Sequence, residues 1–144
     1  MRLTSFTDYG LRAMMRLAGS PGQGMSTAAL ADELRISRNH LTKIVQALAR
    51  GGYVTTRRGG GGGAMLARPA EEIRLGDVVG LLEQGQALVE CFAEGGGECV
   101  LTGTCRLKHR LRAAERAFIE DLNRSTLAQI ALAAPAGGAG RVFV

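Results

Sequence analysis

Three cysteines, Cys91, Cys99 and Cys105, fall within fifteen residues of a 144-residue chain that has no others. Seven residues separate the first pair and five the second, and the run Gly95-Gly96-Gly97 lies between them. Thiolates are soft metal ligands, and a close group of them in a reducing compartment points to metal more than to disulfide. These spacings are too wide for the CxxC knuckle of a zinc ribbon. An iron–sulfur cluster is a larger object than a single ion, takes four ligands and suits a glycine-rich loop with scattered cysteines. Three thiolates leave it one ligand short, and the fourth has to be Asp, Glu, His, a small molecule or a group from another subunit. His109, four residues past Cys105, keeps a Cys3His zinc site open as the alternative. No Cys/His/Asn order marks a catalytic thiol, so no enzyme is expected.

A second group of residues has a different chemistry. Residues 35 to 70 carry Arg35, Arg38, Lys43, Arg50, Arg57, Arg58 and Arg68 and no Asp or Glu. The chain as a whole has a net charge of +5, and outside this window 11 basic residues face 13 acidic ones. A basic segment on a nearly neutral body predicts a polyanionic partner, and nucleic acid is the obvious one.

The elements that must position these groups read as follows. Apolar residues at helical spacing predict a helix over 8–18, with Thr7 or Asp8 as its cap. Gly19 to Gly24 breaks it. A second helix follows Ser26 or Thr27, with Leu30, Ala31 and Leu34 on one face and Asp32 and Glu33 facing out. Ser37 caps a third, with Leu41, Ile44, Val45 and Leu48 inward, and Gly51-Gly52 ends it. Tyr53 to Thr56 and Ala64 to Ala67 read as a two-stranded hairpin, whose tip of five consecutive glycines has no intrinsic order. A fourth helix spans 75–83. A long one runs from about Thr104 to Leu122, with the stripe Leu107, Leu111, Ala114, Phe118 and Leu122. A short amphipathic helix and a Gly/Ala-rich tail close the chain.

Helix, tight turn, helix with a polar first turn, then hairpin is the order of a winged helix-turn-helix. The fold class expected is mainly α with a small β wing and a long C-terminal helix. Four parts are expected: a DNA-binding head over 1–85, a cysteine loop over 86–104, the long and short helices over 105–134, and a loose tail over 135–144. Ser37, Arg38, Asn39, His40, Thr42 and Lys43 lie where the third helix would enter a major groove. Asn pairs with adenine and Arg with guanine there. Arg57 and Arg58 on the hairpin would meet phosphate or a minor groove. No apolar run reaches membrane-spanning length, and the first residues lack a signal peptide's apolar region, so a cytoplasmic protein is expected. A cluster-carrying scaffold that never binds DNA is the rival from another class, and the acid-free window argues against it.

Several stretches together resemble the winged-helix iron–sulfur regulators of bacteria: Leu3 to Arg12, Ser37 to Ile44, Gly52 to Gly59, Leu66 to Pro69, Ile73 to Val79 and Cys105 to Lys108. Within that family the chain is similar to the nitric-oxide-sensing repressors of the NsrR type. The resemblance implies a homodimer built by the long helices, repressing from a palindromic double-stranded operator. It implies a cluster, [4Fe-4S] or [2Fe-2S], on Cys91, Cys99 and Cys105, with the fourth ligand Asp8 from the partner subunit. Nitric oxide would attack there and release the DNA. The IscR-like branch carries histidine three residues past the third cysteine. Here that position is Lys108, although His109 follows. The wing tip departs from the family at Gly61 and Ala64.

Overall fold

A computed structural model describes residues 1–59 and 63–133. The glycine tip at 60–62 and the tail from 134 lie outside the described residues. The order is α1 (Ser5–Ala18), α2 (Thr27–Leu34), α3 (Arg38–Arg50), β1 (Val54–Arg57), β2 (Gly63–Leu66), α4 (Leu75–Leu82) and α5 (Arg106–Leu122). Short 3-10 turns sit at Ala70–Glu72, Glu90–Phe92 and Leu127–Ile130. This is the expected mainly helical chain with a small antiparallel wing. No helix among the described residues is long and apolar enough to cross a membrane.

The first helix begins three residues before the expected start. Its cap is Thr4, not Thr7 or Asp8: the Thr4 hydroxyl accepts the Thr7 N–H at 3.2 Å. Thr7 is then free to turn inward, where it is fully buried. Four residues near this end could each cap a helix, so side-chain chemistry alone did not select among them.

Helices α2 and α3 are joined by a three-residue turn. Arg35 takes the left-handed conformation (φ 55°) and ends α2, Ile36 is buried, and the Ser37 hydroxyl accepts the His40 N–H at 3.1 Å to start α3. A helix-turn-helix needs such a sharp reversal, and the strain of a non-glycine residue at positive φ is offset by burying Ile36. Glu33 does not simply face out. Its carboxylate pairs with Arg16, a mostly buried guanidinium on α1 that also donates to Ser20 Oγ at 2.9 Å.

Met14, Leu17, Leu30, Leu41, Ile44, Leu48, Val54, Ile73 and Val78 form the head's core at 0–2% exposure. Each fully buried aliphatic contributes about 1.5–3 kcal/mol. The wing pairs Val54 with Leu66 and Arg57 with Gly63. Its returning strand is pinned to the start of α2, because Met25 and Ala64 exchange backbone hydrogen bonds of 2.9 and 2.7 Å. Ala64 is therefore buried at the pinned edge and not at an open tip.

The last helix is held to the head through its C-terminal half. Asn123 Oδ1 accepts the Asp77 N–H at 3.0 Å, and its Nδ2 donates to Asp77 Oδ1 at 2.9 Å. Gly76 lies against the Ile119 carbonyl, where a Cβ would overlap it. Past α5, Leu127 is fully buried in the head's core and Leu132 N–H donates to Met15 O at 3.0 Å. No residue of α5 itself is buried.

Candidate functional site

The first turn of α3 displays the residues that could read DNA. Arg38, Asn39, Thr42 and Lys43 are exposed. Arg38 reaches Asp32 at 3.7 Å with both side chains mostly in solvent, a pair too weak to withhold the guanidinium from a phosphate or base. The Thr42 hydroxyl donates to the Arg38 carbonyl one turn back at 2.8 Å. Ser37 acts locally as the cap. His40 differs from its neighbours. Its ring is half-buried, edge-on to Tyr9 with centroids 5.3 Å apart and tilted against Phe6 at 6.1 Å. That contact packs the recognition helix onto α1. Arg57 at the end of β1 and Arg58 just beyond it are exposed, on the wing strand that is not pinned to α2.

The cysteine loop follows α4. Cys91 sits in the Glu90–Phe92 turn, Cys99 follows the glycine run, and Cys105 caps α5. All three are half-buried and none is in a disulfide. Gly95, Gly96 and Gly97 all adopt positive φ (86°, 81° and 63°), a path that side chains other than glycine rarely follow. The turn is closed by Glu90, whose Oε1 accepts the Glu98 N–H at 2.8 Å and whose Cγ lies 2.6 Å from where a Cβ on Gly97 would be. The loop is tied to α5 where the Arg112 guanidinium stands 4.4 Å above the Phe92 ring.

Among the described residues, no three His, Cys, Asp or Glu side chains converge as a metal would need. A single chain therefore brings together neither its three thiols nor a fourth donor. In kind, the donor set still fits a cluster: three unpaired thiols on a loop whose glycines allow it to reshape. Asp8 lies on the first turns of α1 and is held by Arg12, whose Nε and Nη2 donate to its two oxygens at 3.2 and 2.6 Å. The pair is about half exposed (48% for Asp8, 51% for Arg12). Arg12 also stands 5.5 Å from the centroid of the Tyr9 ring. The Asp8–Arg12 spacing of four residues was readable as a helical ion pair, and sequence reasoning passed over it.

One further residue had no sequence signal. Glu83 hydrogen-bonds Thr4, 79 residues away, and joins the start of α1 to the root of the cysteine loop.

Solved structures share this fold. The Bacillus subtilis global cysteine regulator CymR is 28% identical, with a TM-score of 0.72, over 91% of this chain and 96% of its own. Staphylococcus aureus CymR is 30% identical (TM-score 0.67; 92% and 100% covered). IscR of T. potens shares the fold at 24% identity and a TM-score of 0.71, with 90% and 85% covered. Residues 3–133 match the Rrf2 family of iron-dependent transcriptional regulators, and the chain belongs to that family.

Proposed function

We propose that this Rrf2-family regulator is a homodimeric repressor of a palindromic operator, and that its grip on DNA depends on an iron–sulfur cluster shared between subunits. The ligands are Cys91, Cys99 and Cys105 of one chain and the partner subunit's Asp8. The observation that carries this reading is the pairing of two features in one winged-helix chain: a basic window over residues 35 to 70, without Asp or Glu, that contains the recognition helix, and a glycine-hinged loop holding every cysteine. When bound, a cluster supplies iron that reacts with nitric oxide. A carboxylate is the weakest donor of the four, so the Asp8 contact is the one that yields first.

The chain's own residues explain why Asp8 can serve both states. Its bond to Arg12 is a surface pair four residues apart, worth about 0.3–0.5 kcal/mol, so little is lost when Asp8 leaves Arg12 for a ligand role. Released, it returns to Arg12. Arg12 rests on Tyr9, and Tyr9 packs on His40 at the start of α3, so the exchange acts beside the recognition helix. Half-site spacing tolerates little change, and a small rotation of one head against the other abolishes binding to a palindrome.

A second reading keeps DNA binding and changes the sensor. An IscR-type sensor would keep a cluster and change only its signal, whereas the Staphylococcus aureus CymR solved in an oxidised form favours direct thiol chemistry, and a zinc site with His109 is a further variant. Anaerobic purification separates a cluster from the thiol and zinc readings. A straw-brown protein containing iron and acid-labile sulfide is expected. A colourless protein with stoichiometric zinc, or with no metal, overturns the cluster.

A further inference from the structure

Glu83 is the C-cap of α4, three residues before the cysteine loop. Its Oε1 accepts both the backbone N–H and the hydroxyl of Thr4, each at 2.8 Å. Thr4 in turn caps α1, and its carbonyl accepts the Asp8 N–H at 3.0 Å. Thr7, between them, is fully buried, with its hydroxyl 3.1 Å from that of Thr4. The turn carrying Asp8 is therefore fixed at its first residue by a carboxylate that belongs to the base of the loop. Arg2, Glu115 and the Met1 amino group are the other charged groups lining the cleft around it, which also contains Phe118 and Ile119 of α5, and Arg116 and Glu120 line a neighbouring cleft that Glu83 shares.

The connectivity has a consequence in a dimer with the ligand set proposed above, on which this inference rests. Each chain gives its cysteines to one centre and its Asp8 to the other. We infer that Glu83 is a positioning residue that couples the two centres of the dimer, because in each chain it joins the Asp8 turn of one centre to the loop root of the other. Movement of Asp8 at one centre pulls on Thr4, and through Glu83 on the loop that holds the second.

Two measurements test this on the full-length protein. In the metal-free protein, backbone hydrogen exchange at Thr7 and Asp8 should speed up at least about fivefold in Glu83→Ala, as expected for loss of hydrogen bonds to a charged acceptor. It should change less than about twofold in Glu83→Gln, which keeps an acceptor oxygen in place. Unchanged exchange in Glu83→Ala overturns the anchor. In loaded dimers exposed stepwise to nitric oxide, native mass spectrometry should find fewer half-loaded dimers than random loss predicts, and Glu83→Ala should restore the random distribution. Random loss in the wild type, or no change in Glu83→Ala, overturns the coupling. Asp8→Ala is run in parallel. If it loads and keeps its cluster as the wild type does, the ligand set fails and the coupling fails with it, whereas the exchange result on Thr7 and Asp8 reports on the anchor alone.

Discussion

At the scale of single residues, each polar group near α1 and α3 has a separable role. Asp8→Ala removes only an exposed pair and should cost less than about 0.5 kcal/mol in chemical unfolding, while shortening cluster lifetime in air. An unaltered lifetime removes Asp8 from the ligand set. On α3, Lys43 is exposed and has no ion-pair partner among the described residues, so Lys43→Ala should weaken binding evenly across DNA sequences and lower the salt dependence by about one unit of slope. Arg38→Ala should instead relax preference at one base position, at about 1–3 kcal/mol, in competition gel shifts. Glu83 makes a pH prediction. Burial pushes its carboxyl up, but hydrogen bonds from the Thr7 and Thr4 hydroxyls and the Thr4 backbone outweigh that and hold it below the ordinary carboxylate value. A carboxyl with a lowered folded pKa adds stability that is fully present above the unfolded value and disappears as pH falls through the folded one. The stability difference between wild type and Glu83→Gln, from urea melts at a series of pH values, should therefore be level near neutrality and vanish in acid. A difference that persists unchanged into acid contradicts this.

At the scale of elements, the helices were legible because each repeats its apolar residues at helical spacing, and α2 and α3 start at the side-chain caps Ser26 and Ser37. Leu41, Ile44, Val45 and Leu48 behind Ser37 are one case, and Leu75, Val78, Val79 and Leu82 another; all are buried as their spacing implied. The start of α1 was not legible, since Thr4 is selected as cap by Glu83, a contact far away in sequence. Nor was the burial of Ala64, which depends on the Met25 bridge. The α4–α5 crossing was hidden too: it needs a glycine at 76 facing Ile119 and an asparagine at 123 facing Asp77. Gly76→Ala forces that crossing apart and should cost about 1–3 kcal/mol despite alanine's better helix propensity. A melting temperature equal to or above the wild type's would show that the crossing is loose.

At the scale of the whole molecule, the head is a finished core and α5 is not. Leu107 is 62% exposed, and no residue of the helix is buried. Leu122 packs on the head's core, and a second α5 laid along Leu107, Leu111 and Ala114 would cover the rest of the stripe, as the proposed dimer requires. Replacing Leu107 and Leu111 together with Glu should convert a particle of twice the 15.1 kDa chain mass to a single chain in sedimentation, with the head's secondary structure unchanged. The cysteine loop was legible as a glycine-rich segment carrying every thiol of the chain, but one chain's described residues do not bring those thiols together; in the proposed site the fourth donor comes from the partner subunit, which no pattern within one chain encodes. The most direct test of the central claim is an anaerobic titration of operator DNA by the purified protein, with visible absorption followed in the same cuvette before and after nitric oxide. A cluster band that bleaches in step with release of the DNA is predicted. DNA held equally well after the band is gone, or a protein that binds DNA and never shows a band, contradicts the account.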